Sequence, residues 1–560
     1  MTDQPMPVPP RARPGFALAR DGGAAIGALA VLVAAACALP MLAVTVAALV
    51  GGTESVSHLA ETVLGRYTRT TVLLVAMVAS GTFTLGVGAA WLVTMTRFPG
   101  ARLFEVALVL PLAFPAYVLA YAYTSLLSHP GIVQATLRQV TGWGPRDYWF
   151  PEVHSVGGAA TMLVLVLYPY VYLLARAAFL QQSATTFLAA RALGAGAWRA
   201  FFRVSLPLAR PAIAAGVLLT VMETIADFGT VSYFGVQTFA TGIYTSWFAL
   251  ADRGGAAQLA LCLLAFALLL ALLERRQRGR AEYHDSSRRQ QAMEPARLRG
   301  VSAGLAMAFC SLPVIFGAIV PVVVLLNMGI GSGQNLLSPR YLGFVTSSLS
   351  LAGIAATITV AAAVCVGFYR RLRPGRLAQG ASYVARLGYA VPGGVIAVGL
   401  LVPFAAFDNA LDAWMQASFG IRTGLLVTGS IWLMVIAYMV RFLAAALGAY
   451  EGGQSMVAAN MDAAARSLGH GPLAALRRVH LPIIAPSLLT ALLIVFVDVM
   501  KELPATLILR PFNFDTLAVQ AYRLASDERL EGAAVPSLVI VAMGLLPVIL
   551  ICRQVGRQRA

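Results

Sequence analysis

Four acidic residues fall at matched places in the two halves of the chain: Glu223 and Asp227, then Asp498 and Glu502 at an offset of 275 residues. The spacing within each pair is i, i+4, which puts both carboxylates on one face of a helix. Lys501 stands beside the second pair, at i+3 from Asp498. Hard cations prefer carboxylate and phenolate oxygen, so these acids could form a symmetric ring of metal ligands or a cation-attracting entrance. Phenols are near in sequence at Tyr233 and Tyr244, and others lie on apolar segments at Tyr117, Tyr121, Tyr168, Tyr170 and Tyr172. The same acids could instead cap a membrane interface, with Lys501 paired to Asp498 or Glu502. Counted from Pro207, Glu223 lies about 24 Å and Asp227 about 30 Å up a helix, toward an outer mouth rather than a midplane.

The segments that must carry these acids are strongly apolar. Hydrophobic residues make up 59% of the 560 and charged ones 12%, where a soluble domain has about 45–50% and about 25%. With a mean hydropathy of +0.77, the natural solvent is a bilayer, whose core needs about 20 apolar residues per helix. Such runs occur near 24–50, 70–95, 103–125, 156–180, 208–228 and 256–273, and again near 301–328, 344–368, 383–407, 423–448, 483–503 and 534–552. The first is too long for a signal h-region of about 7–15 residues. The expected fold is therefore an all-α polytopic membrane protein of about twelve transmembrane helices.

A net charge of +17 could suggest nucleic acid, but the arginines sit in short bursts between apolar runs. Arg11, Arg13, Arg20, Arg97, Arg102, Arg176, Arg191, Arg199, Arg203, Arg210, the Arg-rich stretch 274–299, Arg370, Arg371, Arg373, Arg376, Arg466, Arg477, Arg478 and the tail fall on one side if twelve spans alternate. The opposite loops, such as 51–69 and 408–422, carry few. Positive-inside placement makes that side, and both termini, cytoplasmic; nucleic-acid binding is not expected. Cys37, Cys262, Cys310, Cys365 and Cys552 lie in apolar segments without a CxxC pair, which argues against disulfides or zinc.

The offset of 275 residues also relates longer strings. Leu188-Ala-Ala-Arg-Ala-Leu-Gly194 sits over Ala463-Ala-Ala-Arg-Ser-Leu-Gly469, Arg203 over Arg478, Leu206-Pro207 over Leu481-Pro482, and Pro211 over Pro486. The chain reads as two parallel six-helix repeats, 1–273 and 300–560, joined by a cytoplasmic linker at 274–299. Each repeat carries one special loop between its fourth and fifth spans, about 181–210 and about 450–485. There a helix-forming run stops at a glycine able to turn left-handed. A second amphipathic stretch follows, and Leu-Pro opens the next span. Two short helices at a glycine corner, twice, on the side of the arginines, suit a docking element that pulls on the span after it.

These residues resemble the EAA loop of ABC importer permeases, EAA-x(3)-G-x(9)-I-x-L-P, at Ala189, Ala190, Gly194, Leu206 and Pro207 and again at Ala464, Ala465, Gly469, Leu481 and Pro482. The acidic position is Leu188 in one copy and Ala463 in the other, and Val204 and Val479 replace isoleucine. The strings from Asp227 to Phe239 and from Lys501 to Thr516 resemble the iron(III) importer permeases in particular. The resemblance implies a type I importer fold in the bacterial inner membrane and coupling of the two loops to two copies of a cytoplasmic ABC ATPase. It also implies a periplasmic, iron-binding solute receptor. No cofactor is expected on this chain, with Mg-ATP bound by the partner: a phosphate-cradling loop needs Gly-Lys-Ser/Thr, and Lys501, the one lysine, follows Met500. Permeases for thiamine, polyamines, phosphonate and sulfate share this framework. A secondary transporter driven by a proton or sodium gradient could use the carboxylates and Lys501 but leaves the duplicated loop unexplained. For a membrane enzyme no HExxH or GxSxG motif is present.

Overall fold

Backbone amides in hydrocarbon have no water to bond, so apolar runs satisfy them within helices. The computed structural model describes residues 23–52, 57, 59–182, 197–278, 296–335 and 337–557. In chain order its helices are α1 (Gly23–Val50), α2 (Ala60–Met95), α3 (Ala101–Ala107), α4 (Ala116–Leu127), α5 (Ile132–Thr141), α6 (Val156–Leu180), α7 (Phe201–Ala226), α8 (Gly229–Tyr233), α9 (Phe239–Tyr244) and α10 (Arg253–Arg278). After them come α11 (Val301–Gly331), α12 (Pro339–Leu372), α13 (Arg376–Leu387), α14 (Gly393–Phe419) and α15 (Trp432–Gln454). The last are α16 (Ala459–Ser467), α17 (Pro472–Met500), α18 (Pro504–Leu509), α19 (Leu517–Ser526) and α20 (Leu530–Arg557). The chain is an all-α, multi-pass membrane protein.

Eleven of these helices are long and apolar enough to cross a bilayer, or twelve if Ala101–Ala113 and Ala116–Thr141, which meet at 92°, count as one broken span. The unbroken span expected near 103–125 is thus corrected. The residue before a proline is pushed out of the helical region, and Phe114 before Pro115 is extended at φ −92°, ψ 134°. A comparable break lies between α13 and α14, where Val391 before Pro392 has φ −91°, ψ 121°. Helix α14 then runs on to Phe419 and takes up most of the loop expected at 408–422. Arg176, read from sequence as a loop charge, lies inside α6, is 2% exposed and pairs with Glu105 of α3 at 3.4 Å. That buried pair ties the broken third element to the fourth span.

In the first half α2, α6 and α7 pack together; in the second α12, α15 and α17 do the same. Small residues allow the close approach that membrane interfaces need. A Cβ at Gly86 of α2 would meet Val171 and the Tyr172 amide at 2.7 and 2.9 Å, and one at Gly216 of α7 would meet the Val171 Cα at 2.9 Å. The first helix of each half crosses over: α1 lies on α12, α13 and α14, while α11 packs against α20, α4 and α2. Thr96 and Arg97 pair in a parallel bridge with Ala296 and Arg297, so the end of the linker and the loop after α2 lie on the same face.

Candidate functional site

The four acids line one cavity of about 130 Å³ at the boundary between the halves. Its walls include Phe114 and Tyr389, Leu167 and Phe442, Glu223 and Asp498, Asp227 and Glu502, and Phe228 and Leu503, each pair related by the 275-residue offset. Tyr117, Tyr170, Arg441 and Lys501 complete the polar lining.

The acids do not share one helix face, because each helix ends between the members of its pair. Glu223 is on α7 and Asp498 on α17, but α7 stops at Ala226 and α17 at Met500. Asp227 and Glu502 therefore sit in the breaks that follow, and both cap the next short helix. Asp227 accepts from the Thr230 amide at 3.0 Å, the Thr230 hydroxyl at 3.0 Å and the Val231 amide at 3.1 Å, closing α8. Glu502 accepts from the Ala505 and Thr506 amides, each at 3.0 Å, and from the Thr506 hydroxyl at 2.8 Å, closing α18. Oriented amides at a helix start bind carboxylates well. Glu502 also lies 3.5 Å from the Arg441 guanidinium of α15, which stacks on Phe442.

That leaves Glu223 and Asp498 with oxygens to spare. Glu223 accepts the Tyr389 hydroxyl at 3.0 Å. Asp498 is 2.9 Å from the Lys501 ammonium, the first of the two pairings open from sequence. A symmetric ring of free ligands does not form: among the described residues no three His, Cys, Asp or Glu side chains are grouped to hold a metal. The capping bonds are the reason, since they use the oxygens of half the set.

A second, larger cavity of about 1050 Å³ is lined by Ser125, His154, Ser232, Tyr233, Gln334, Glu528, Arg529 and Glu531, among others. A column of rings joins the two. Tyr117 of the inner cavity is 5.7 Å from Tyr121, Tyr121 is 4.8 Å from Tyr233, and Tyr233 is 5.6 Å from His154. Tyr121 is fully buried and its hydroxyl has no hydrogen-bond partner among the described residues. Tyr244 stacks on Phe228, 4.5 Å between centroids, while Tyr168 and Tyr172 donate to the carbonyls of Leu108 and Glu105.

Of the two loops with a glycine corner, the first places Ala189, Ala190 and Gly194 outside the described residues. The second is described in full. Helix α16 carries Ala464 and Ala465, and the chain turns at Gly469 with φ 78°, the left-handed value a glycine takes without a Cβ clash. Leu-Pro does not open the following span, contrary to the sequence expectation. Helix α17 already begins at Pro472, and a π turn at Leu476–His480 runs straight into Leu481-Pro482. In the first half a π turn at Phe201–Ser205 runs into Leu206-Pro207 in the same way. Proline lacks the N–H and crowds the carbonyl four residues back, and a π turn placed there relieves both faults.

Asp462, one residue before the vacant acidic position, holds α16 down. It accepts from Arg371 Nε at 2.8 Å and from His480 Nε2 at 2.7 Å, and Arg371 also donates to the Val457 carbonyl at 2.8 Å. Gln454 lies 3.1 Å from the other ring nitrogen of His480. One network thus joins the end of α12, the end of α15, α16 and the π turn of α17. At the matching places the first half has Thr96, Phe179 and Ser205. There Trp91 packs on Phe179 and Phe201, with centroids 5.7 and 4.5 Å apart.

Sequence reasoning missed Arg441, Tyr389 and Asp462. Arg441 had a signal, a charge inside an apolar span. Asp462 stands one residue before the acidic position of the motif, and Tyr389 carries no signal in the sequence.

Residues 82–282 match the family model described as binding-protein-dependent transport system inner membrane component. The chain is 27% identical over 531 residues to Fe(3+)-transport system permease protein FbpB 2 of Haemophilus influenzae, covering 93% of this chain and 97% of that one. It is 27% identical over 560 residues to the probable ABC transporter permease protein y4fN of Sinorhizobium fredii, covering 93% and 94%. A 197-residue stretch, 34% of this chain, is 29% identical to the molybdenum transport system permease protein ModB of Escherichia coli, covering 82% of it. In these matches, as in its helical spans, the chain is similar to the binding-protein-dependent inner-membrane permeases of ABC importers.

Proposed function

We propose that this chain is the membrane permease of an ATP-driven importer for ferric iron, built from two parallel repeats, 1–273 and 300–560, around the linker 274–299. The observation that carries the reading is the cavity at the repeat boundary, where Glu223 and Asp498 stand at equivalent positions with carboxylate oxygen available. Oxygen from carboxylates and the phenols of Tyr170 and Tyr389 suits a hard trivalent cation. The relatives named for Fe(3+) transport support the same cargo. The molybdenum relatives match a shorter stretch, and the two cations of the cavity, Lys501 and Arg441, are each neutralised by an acid, which disfavours an oxyanion.

The chain hydrolyses nothing itself. Two copies of a separate cytoplasmic ATPase bind Mg-ATP and press on the loops around Gly194 and Gly469, through Ala189, Ala190, Leu206 and Pro207 in one half and Ala464, Ala465, Leu481 and Pro482 in the other. Both termini and these loops are cytoplasmic. A periplasmic receptor delivers iron to the opposite face, where segments 127–155 and 229–255 border the large vestibule. Asp227 and Glu502 keep the breaks after α7 and α17 in shape, so that movement of either helix opens or closes the cavity.

The test is radioiron uptake by proteoliposomes holding the chain, its ATPase and a loaded receptor, with molybdate and sulfate as competitors. ATP-dependent uptake that falls at least tenfold in Glu223→Gln is expected. Uptake of molybdate in place of iron overturns the cargo, and uptake driven by a pH gradient without ATP overturns the mechanism. A cysteine at Gly469 labelled from outside intact cells overturns the orientation.

A further inference from the structure

Lys501 is the one lysine among 41 basic Lys and Arg residues, and it sits in the cavity between the halves. We propose that it is a resident counter-cation. Its ammonium occupies Asp498 when the cavity is empty of cargo and is displaced by the cation that enters. This inference rests on the cavity being a cation pathway.

Three observations carry it. The ammonium is 2.9 Å from the Asp498 carboxylate, and the two side chains keep 25% and 26% exposure, so the pair is open to the cavity rather than sealed in a core. Both charged groups line the cavity, so an entering cation meets the pair directly. Next, the main chain at Lys501 is held while the side chain is free to leave. The Lys501 carbonyl lies within 3.5 Å of the Tyr117 hydroxyl that donates to it, and the ammonium rides on a flexible four-carbon stem.

The other cation of the cavity behaves differently. Arg441 faces a Glu502 that is 2% exposed and already holds three further bonds, and its guanidinium stacks on Phe442. It is fixed. Finally, the two halves are unequal at this point. The residue equivalent to Lys501 is Ala226, so Glu223 has only the Tyr389 phenol against it. An entering cation finds Glu223 without an ion pair of its own among the described residues, and reaches Asp498 by exchanging places with the lysine. Each exchange moves one ammonium out as positive charge comes in. The cavity is never left with both acids bare, and cargo that departs is replaced by the side chain, which opposes its return.

The experiment uses the full chain with its ATPase subunit in detergent and terbium(III) as the hard trivalent probe, its luminescence sensitised by the tyrosines of the cavity. Wild type, Lys501→Met, Lys501→Arg and Glu223→Gln are titrated. Lys501→Met is expected to bind terbium on the order of tenfold more tightly than wild type, since a charge competitor at contact distance is gone. Lys501→Arg is expected to stay within a few-fold of wild type. Equal affinity in wild type and Lys501→Met, with binding still dependent on Glu223, overturns the counter-cation while leaving the cation pathway standing. Binding that Glu223→Gln does not weaken removes the pathway, and the inference with it.

A second measurement needs no variant of the site. Reductive methylation of the purified full chain, without the ATPase subunit, with carbon-13 keeps the charge and gives Lys501 a signal of its own, apart from that of the terminal amine. Lanthanum(III) added to wild type is expected to shift and narrow that signal as the ammonium leaves Asp498; a signal unchanged at saturating lanthanum refutes the displacement.

Discussion

Replacing Asp462 with alanine removes the carboxylate that Arg371 and His480 share. The side chain accepts at 2.8 Å from the guanidinium and at 2.7 Å from the fully buried imidazole. A hydrogen bond to a charged group contributes about 1.5–3 kcal/mol. Asp462 and Arg371 keep 16% and 21% exposure, so water recovers part of that, and the low end applies to the arginine contact. Together the two contacts hold α16 against the span ends by about 3 kcal/mol, roughly a hundredfold in the ratio of docked to undocked helix. The network spans α12, α15, α16 and α17, so its loss should disconnect the glycine corner from the spans without unfolding the membrane core. In proteoliposomes, Asp462→Ala is expected to bind the ATPase and sustain hydrolysis while uptake per ATP falls about tenfold or more. Asp462→Asn, which keeps one acceptor, should fall between. Arg371→Met on top of Asp462→Ala should add little, because residues of one network are not additive. Unchanged uptake per ATP in Asp462→Ala, or fully additive losses in the double variant, refutes transmission through this network.

The cavity acids should separate into two kinds. Glu223→Gln keeps an acceptor for Tyr389 and is expected to melt as wild type does while losing uptake. Glu502→Gln leaves Arg441 without its charge partner and should cost about 3–5 kcal/mol in thermal or denaturant melts of the purified chain; equal melting of the two variants contradicts the assignment. Gly393→Ala places a methyl against both the Arg441 guanidinium and the Glu502 carboxylate, so it should reproduce the destabilisation of Glu502→Gln, again read by melting. Gly469→Ala forces φ 78° on a residue with a Cβ, although nothing lies within 4 Å of that Cβ. The cost is therefore conformational, about 1–2 kcal/mol, and Gly469→Asn should recover part of it in coupled uptake.

Much of the architecture was legible because hydrocarbon permits few solutions. Apolar run lengths gave the spans, and the 275-residue offset gave equivalent positions whose structures agree down to the paired π turns at Phe201–Ser205 and Leu476–His480. What could not be read was local geometry set by three-dimensional neighbours. Run length does not reveal that Pro115 bends the third element by 92°, because proline is common in membrane helices that stay straight enough to span. Periodicity placed Glu223 with Asp227 and Asp498 with Glu502 on common helix faces. The helices end at Ala226 and Met500, so each pair splits into a cavity residue and a cap. The capping partners Thr230 and Thr506 are three and four residues downstream of these acids, a spacing visible in the sequence once a helix start is suspected there. Arg441 and Tyr389 come from elements far along the chain, and only the fold brings them to the acids.

The inequality of the halves explains why a fused chain suits this task. Two identical subunits would carry the same groups on both sides of the cavity and at both coupling elements. Here Lys501 opposes Ala226, and the ionic network of Arg371, Asp462 and His480 opposes the rings of Trp91, Phe179 and Phe201. An ionic network has directional bonds that resist sliding, whereas packed rings keep contact while shifting past one another. The α17 side is therefore expected to be the stiffer of the two. If both coupling elements receive the same push, the stiffer side transmits it to Asp498 and Lys501, and the softer side follows around Glu223. The order of events this implies, release at Asp498 before Glu223, depends on the asymmetry itself. Exchanging Phe179 and Ser205 for the Gln and His of the second half, together with Thr96→Arg and Phe187→Asp, should make the two sides respond alike. Distance measurements between spin labels on α7 and α17 during turnover would show two separate movements in the natural chain and one in the symmetrised chain; a single movement in the natural chain refutes the ordering.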